Sequence, residues 1–137
     1  MKSFAIVHSN EAPVRASPLR ERDGEVSRFT AYVAEFFPVE GATLELKRVS
    51  LPPGAVIAPH RHDYAEVLYV LDGSLSFGAQ TCEAGSGVYV AAEARYGFVA
   101  GSDGCTFLNF RGVVGTSIRF ADETTEAVGQ ADAGSPA

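Results

Sequence analysis

Residues 66–77 read EVLYVLDGSLSF, the clearest strand signal in this chain of 137 residues. Apolar, β-branched and aromatic residues dominate both halves of the segment, as is typical of β-strands. Between the halves lies Asp72-Gly73, a pair that readily adopts the positive φ angles of a tight two-residue turn. The segment therefore predicts a β-hairpin with strands at 66–71 and 74–77.

Short runs of the same kind occur on both sides of this segment. Aromatic and β-branched residues, or apolar residues in alternation, mark predicted strands at residues 29–37, 43–49, 88–90, 105–110 and 116–120. No window of helical length repeats its apolar residues with a helical period. Many short strands at close spacing predict an all-β sandwich or barrel.

The two ends of the chain are more polar than its middle. We expect residues 1–28, which contain Pro13 and Pro18, to form an irregular lead-in that packs on the outside of the barrel. Residues 29–122 are expected to form the barrel domain. Residues 123–137 are mostly small or polar, which is typical of a disordered tail.

Composition narrows the possible locations and partners. Hydrophobic residues make up 46% of the chain, enough for a core, and no run approaches the ~18 apolar residues of a membrane span. The N-terminal apolar stretch is too short for a secretory signal, so we expect a cytoplasmic protein. A net charge of -6 without a clustered basic face argues against a nucleic-acid partner. Without a secretion signal, Cys82 and Cys105 are expected to be unpaired, half-buried hydrophobes.

Two of the three histidines lie close together, at His60 and His62, and Glu66 follows at the start of the next strand. Residues two apart on a strand point to the same face, so both imidazoles can reach one ligand. Two imidazoles and a carboxylate form a donor set for a first-row divalent metal. The alternative is a pair of exposed loop histidines beside a solvated glutamate, and the spacing of the three residues alone leaves both interpretations open.

The wider spacing is more specific. Gly54, His60, His62, Glu66 and Gly73 occupy every fixed position of a pattern that resembles the complete first motif of the cupin superfamily. The resemblance, over residues 44–110, implies a cupin-type β-barrel (a double-stranded β-helix or jelly roll). It also implies that the two histidines and the glutamate hold one divalent metal ion, with Fe²⁺ favoured and Zn²⁺, Mn²⁺ or Ni²⁺ possible.

The second cupin motif is only partly present. Counted from Gly85, Ala91 stands where the family has proline, Glu93 where it has glycine, and Tyr96 where it has the fourth ligand, a histidine. The four-ligand metal shell of the family is therefore not expected. Three roles for Tyr96 stay open: a phenolate ligand, a neutral catalytic group that hydrogen-bonds or exchanges a proton with substrate, or a side chain that fills the barrel mouth.

Other strand residues are assigned by alternation. Tyr69 is three residues past Glu66 and is expected on the opposite face. An arginine that faces the cavity could bind an anionic substrate through two parallel hydrogen bonds, although most arginines on strands are solvated. Candidates for such cavity contacts are Arg48, Asn109 and Arg111, and because Lys47 and Arg48 are adjacent, at most one of them points inward. The expected apolar wall of the barrel comprises Leu44, Leu46, Leu68 and Phe107, and His8 is expected at the surface.

The resemblance implies an enzyme that acts on a small organic substrate in the barrel. A dioxygenase-type oxidoreductase is favoured, because two histidines, one carboxylate and open positions suit iron(II). The alternatives are a redox-neutral zinc isomerase, cyclase or lyase, and a non-catalytic cupin that binds or senses a small molecule. We expect no membrane or nucleic-acid partner, and a homodimer formed through the strand at residues 29–37.

Overall fold

In a computed structural model, which describes residues 3–112, 116–120 and 126–128, the chain forms ten strands and one short 3-10 turn. The turn is Ser9–Glu11, and the strands are β1 (Val14–Arg20), β2 (Val26–Glu35), β3 (Glu45–Leu51), β4 (Val56–Arg61), β5 (Glu66–Phe77), β6 (Gln80–Glu83), β7 (Gly87–Val90), β8 (Tyr96–Arg111), β9 (Thr116–Phe120) and β10 (Glu126–Val128). No helix in the described part of the chain is long and apolar enough to cross a membrane.

Every strand pair is antiparallel, and the long strand β8 organises the sheet. The strand order is β1-β2-β3-β8-β4-β9-β10, and β5 pairs with β8 as well as with β6 and β7. One half of β8 pairs with β4 and the other half with β3, while β5 follows it along the opposite edge. Strands shared between layers in this way produce a jelly-roll barrel, which confirms the predicted fold class.

The predicted hairpin at Asp72-Gly73 is wrong. Strand β5 continues through both residues and stays paired with β8, with register shifts on either side of them. Gly73 uses its positive φ angle of 76° to bend the strand, and the backbone of Gly104 fills the space that a Cβ would need. The turn itself comes later, at Gly78-Ala79, and leads into β6.

The N-terminal segment is also more regular than predicted. Val14–Arg20 forms β1, which pairs with β2 and contributes the buried side chain of Leu19 to the main core. Pro18 is compatible with this strand because β1 lies at the edge of the sheet, where a missing N–H breaks no ladder. Of the expected tail, only residues 126–128 are described, and they form β10; the rest of 123–137 lies outside the described residues.

The barrel interior has an apolar end and a polar end. Val49, Phe107 and Val70 are fully buried at the apolar end. The polar end holds the buried side chains of Glu45, Lys47, His60, His62, Glu66, Asn109 and Arg111. Because buried charges require partners, this concentration of polar groups at one end locates the candidate site.

The predicted apolar wall is half right. Leu68 and Phe107 are fully buried, as predicted, but Leu44 is 55% exposed and Leu46 packs in a smaller cluster outside the main core. Strand β3 has the opposite phase to the one predicted, with Glu45 and Lys47 inside together with Val49. The two cysteines are free, as predicted: Cys105 is buried and Cys82 half-buried.

Candidate functional site

Strand β4 brings both histidines to the interior. His60 lies within β4 and His62 directly after it, and both are buried, with ring centroids 4.9 Å apart. His60 pairs across the strands with Tyr96 of β8, beyond a register shift in β4. A Cβ at Gly97 would lie 2.7 Å from the Ile57 carbonyl oxygen, so only glycine permits β8 to approach the shifted strand this closely. The shared face expected for the two histidines is confirmed.

Each histidine is oriented through its Nδ1 atom. His60 Nδ1 lies 2.7 Å from the Ala58 carbonyl oxygen, which can only accept, so this nitrogen carries the proton and Nε2 has the lone pair. His62 Nδ1 lies 2.8 Å from the hydroxyl of buried Tyr64, which can donate or accept. Burial, with a smaller contribution from His62, lowers the pKa of His60 to about 3, so the His60 ring is neutral.

Glu66 begins β5 and is held by three donors. Oε1 accepts from Asn109 Nδ2 at 2.9 Å and from Arg111 Nε at 3.0 Å, and Oε2 accepts from the Tyr96 hydroxyl. Burial alone would raise the pKa of Glu66, but Arg111, His62 and these hydrogen bonds lower it to about 2. The carboxylate is therefore ionised.

Tyr96 contacts both Glu66 and the histidines. Its ring centroid lies 4.5 Å from that of His60, while its hydroxyl donates to the carboxylate. Burial and the negative charge of Glu66 raise the pKa of Tyr96 well above the usual value for a phenol. The side chain is a neutral hydrogen-bond donor to Glu66, with Phe77 and Phe98 packed near its ring.

Arg111 links Glu66 to a second buried carboxylate. Its Nη1 lies 3.2 Å from Glu45 Oε1, its guanidinium lies 5.1 Å from the centroid of the Tyr64 ring, and Lys47 approaches Glu45 at 3.5 Å. Although burial opposes its charge, the neighbouring Glu66 raises the pKa of Arg111. Burial, reinforced by Arg111, lowers the pKa of Lys47.

The other polar residues follow the expected alternation in part. Asn109 and Arg111 face the interior, whereas Arg48 is turned outward and donates to Ser9. Tyr69 is 46% exposed on the face opposite Glu66, and His8 is exposed, as predicted for both.

Tyr64 and Glu45 were not predicted as site residues, and Lys47 was not predicted to face inward. The alternation of Glu45, Lys47, Val49 and Leu51 on one face of β3 was a usable signal for the two charged residues, since Val49 and Leu51 belong in the core. No sequence signal identified Tyr64, which follows His62 in the loop after β4.

The three proposed metal ligands lie together, but not at the spacing of bound ligands. His62 Nε2 is 3.8 Å from Glu66 Oε2, whereas neighbouring donors at about 2.1 Å from an octahedral ion are about 3 Å apart. Among the described residues, no group of three or more His, Cys, Asp or Glu side chains is arranged to hold a metal ion. Two neutral imidazoles and a carboxylate are a donor set that fits a divalent metal, and the 3.8 Å between His62 Nε2 and Glu66 Oε2 would have to close by about 0.8 Å to reach that spacing.

Comparisons with known proteins agree with this fold. A family model described as a cupin domain matches residues 47–109. The polyketide cyclase RemF from Streptomyces resistomycificus is 20% identical, with a TM-score of 0.69 over 88% of this chain and 87% of that chain. A search of curated proteins found no match.

Two further structures have the same fold and differently named activities. A putative acetylacetone dioxygenase from Methylibium petroleiphilum PM1 is 14% identical, with a TM-score of 0.68 over 93% of this chain and 88% of that chain. A sugar phosphate isomerase of the cupin superfamily from Silicibacter pomeroyi is 18% identical, with a TM-score of 0.65 over 86% and 82%. At these identities the likeness concerns the fold alone. Together with the matching family model, it shows that this chain contains a cupin domain at residues 47–109.

Proposed function

We propose that the protein is a metal-dependent enzyme that acts on a small organic substrate, with His60, His62 and Glu66 as the metal ligands. The observation that carries the proposal is the orientation of the two buried imidazoles, each with a hydrogen-bond partner at Nδ1. Metal-binding histidines characteristically use their second nitrogen in this way, which fixes the ring and its tautomer. A pair of solvated loop histidines would need neither burial nor these partners.

Tyr64 supports the proposal as a positioning residue for His62. When His62 Nδ1 carries the proton, Nδ1–H donates a hydrogen bond to the Tyr64 oxygen, and Nε2 keeps the lone pair that a metal requires. When the Tyr64 hydroxyl donates instead, Nε2 carries the proton and cannot ligate. Metal binding therefore selects one direction of this hydrogen bond, whereas the carbonyl of Ala58 holds His60 permanently in the ligating tautomer.

Arg111, Asn109 and Tyr96 orient the carboxylate of Glu66. Their three hydrogen bonds keep it ionised in a buried place, and the one donor to Oε2 leaves that atom a further lone pair for a metal. We assign Tyr96 a place beside the metal as a neutral hydrogen-bond donor, rather than as a fourth ligand. From there its hydroxyl can also contact a bound substrate.

A dioxygenase-type oxidoreductase is the reaction class that we favour. If iron(II) were bound, His60, His62 and Glu66 would hold it with the two-histidine, one-carboxylate donor set that is typical of iron(II) oxygenases, and the ion would supply activation of dioxygen beside an oxygen-donor substrate. Buried Leu68, Phe98 and Phe107 form an apolar wall that limits access of water to the interior. The same two histidines and glutamate also suit catalytic zinc, which favours a redox-neutral cyclase or isomerase as the second candidate.

Metal analysis and oxygen uptake test these assignments. Protein purified without chelator should contain about one equivalent of iron and should consume oxygen with a diketone, phenol or thiol from a substrate panel. Zinc in place of iron, without oxygen consumption, would support the redox-neutral candidate. His60→Ala should lose the metal, and the matched control His8→Ala, which changes an exposed histidine, should retain it. If His60→Ala keeps the metal content of the wild type, the proposed ligand set is wrong. If the wild-type protein itself holds no metal and consumes no oxygen with any member of the panel, a metal-free binding protein remains.

A further inference from the structure

Two polar side chains lie side by side on the inner face of the barrel, next to the proposed metal ligands. In the register of β3, β8 and β5, Lys47 pairs with Asn109, and Asn109 pairs with Leu68. Glu66 is two residues before Leu68, so this row directly follows the row of Glu66 and Arg111 on the same face. Lys47 is 8% exposed and Asn109 is fully buried, so the barrel encloses both side chains.

The carboxylate of Glu66 fixes the orientation of the Asn109 amide. Asn109 Nδ2 donates to Glu66 Oε1 at 2.9 Å, and because an ionised carboxylate only accepts, the other end of the amide is the acceptor Oδ1. In the part of the chain that the structure describes, this buried oxygen has no hydrogen-bond partner. Leaving a buried acceptor unsatisfied costs free energy, so Asn109 favours a ligand that brings a hydroxyl or N–H donor into the barrel.

Lys47 is a buried cation whose polar contacts are incomplete. Its Nζ lies 3.5 Å from Glu45 Oε1, beyond the range of about 2.7–3.2 Å for a well-formed N–H···O hydrogen bond. The same oxygen accepts from Arg111 Nη1 at 3.2 Å. Burial, reinforced by Arg111, lowers the pKa of Lys47, because the ammonium group gives up more hydration than its neighbours replace. An anionic oxygen of a ligand would supply the missing contact.

The buried charges of the interior cancel one another. Two cations and two carboxylates are buried there: Lys47, Arg111, Glu45 and Glu66. Half-buried Glu35, which pairs with Lys47 from β2, also interacts with Arg15. Binding of a divalent metal would add two positive charges to this balanced set, and an uncompensated buried charge is costly. A substrate with a negative charge would offset part of that excess, whereas a neutral substrate would not.

We propose that the substrate is a small hydroxycarboxylate, whose carboxylate is bound by Lys47 and whose hydroxyl donates to Asn109 Oδ1. The assignment rests on the proposed function, because it places the substrate beside the same three metal ligands, with Lys47 and Asn109 as specificity-determining residues. The ammonium group offers three donors to a carboxylate, and the neighbouring amide oxygen selects a ligand that also carries a donor. A molecule that lacks either group would leave a buried polar atom unmatched, which disfavours its binding.

NMR titration of the chelator-treated protein provides the test, because it measures binding without metal and without turnover. The probes are 3-hydroxybenzoate with its neutral amide 3-hydroxybenzamide, and the smaller pair lactate and lactamide. In at least one pair, the acid should bind about 10-fold or more tightly than the amide and should shift the ¹⁵Nζ resonance of Lys47. Lys47→Met should reduce this preference to less than about 2-fold. The matched control is Arg48→Met, which removes a cation from the outer side of the same strand and should keep the preference.

A third probe in each series tests Asn109. Benzoate and propionate lack the hydroxyl, so each should bind about 3-fold or more weakly than its hydroxylated counterpart in the series that fits. Asn109→Leu should abolish that difference, because it removes the amide oxygen while the charge of Lys47 stays in place.

Several results would overturn the assignment of the substrate. A wild-type protein that binds neither acid, or binds acid and amide equally in both pairs, would do so even if the variants fail to fold. A preference that survives Lys47→Met, or one that is lost equally in Arg48→Met, would also contradict it. Failure of the metal assignment is distinguishable, because a chain that binds no metal but prefers the acids through Lys47 contradicts only the proposed function.

Discussion

Strands β3, β8 and β5 pair along their length, and the two ends of this paired region differ. They place polar and apolar side chains on opposite faces of the sheet. At one end, Val49 and Phe107 pair inside the barrel, while Ser50 and Thr106 pair outside, with their hydroxyl oxygens 3.3 Å apart. At the other end, the paired residues inside are Glu45, Arg111 and Glu66, and those outside are Leu46, Phe110 and Val67.

At the second end, charged side chains face the interior and apolar side chains face outward, which is the reverse of the usual arrangement in a barrel wall. Buried charges destabilise a fold unless each has a partner, and exposed apolar rows promote association. Departures of this kind are expected where a protein performs a function. Here the buried charges coincide with the candidate metal site.

The largest predicted effect comes from removing the cation of the polar end. Arg111→Met should lower the free energy of unfolding by about 3–5 kcal/mol, because Glu66 and Glu45 would stay buried without their partner. Urea denaturation followed by circular dichroism measures this loss. A change below about 1 kcal/mol would show that the interior charges are not energetically coupled.

Phe107→Ala at the apolar end should cost a similar amount, about 3–5 kcal/mol, for the different reason that it leaves a cavity. A background of Glu66→Gln separates the two mechanisms. The Arg111→Met penalty should shrink by about 0.5–3 kcal/mol in that background, whereas the Phe107→Ala penalty should be unchanged.

Low pH should lower the free energy of unfolding of the metal-free protein, because Glu66 at the polar end becomes protonated. The fold lowers the pKa of Glu66 from 4.5 to about 2. Between these two pH values the unfolded chain therefore binds more protons than the folded chain, and the stability contributed by Glu66 is lost as the pH falls. The expected loss is up to about 3 kcal/mol in chelator-treated protein. Denaturant titrations between these two pH values should show a flatter dependence in Glu66→Gln; an unchanged slope would contradict the prediction.

Removing the hydroxyl of Tyr64 should weaken metal binding about 10- to 100-fold, because His62 loses the partner that orients it. Competition with a chelating dye measures the dissociation constant, and ¹⁵N shifts of the His62 ring report its tautomer. The matched control is Tyr69→Phe, which removes an exposed hydroxyl on the outer side of β5. Equal affinities in Tyr64→Phe and Tyr69→Phe would exclude a positioning role for Tyr64.

The smallest effect is expected at Val67 of β5, and the adjacent residue Leu68 provides the contrast. Val67→Thr should change the stability of the monomer by no more than about 0.5 kcal/mol, since Val67 faces outward. Leu68→Ala, one position further, should cost about 2–5 kcal/mol because Leu68 is fully buried. Similar losses in both variants would contradict the assignment of the two faces.

Local patterns predicted much of the fold and part of the candidate site. The two-residue period of strands correctly placed His60 with His62 on one face, and Tyr69 opposite Glu66. The same period failed on β3, because the phase of a strand depends on which face its neighbours cover. Leu44 and Leu46 are outside because Val49 and Leu51 on the same strand fill the main core.

The sequence by itself determined the strand-rich class and the spacing of the proposed metal ligands, since both follow from backbone periodicity over a few residues. Only the tertiary structure decided that Asp72-Gly73 bends a strand, and that Arg111 and Asn109 hold Glu66 from more than 40 positions away. Such contacts depend on the register between distant strands. That register is set by the packing of the whole barrel rather than by any local stretch of the chain.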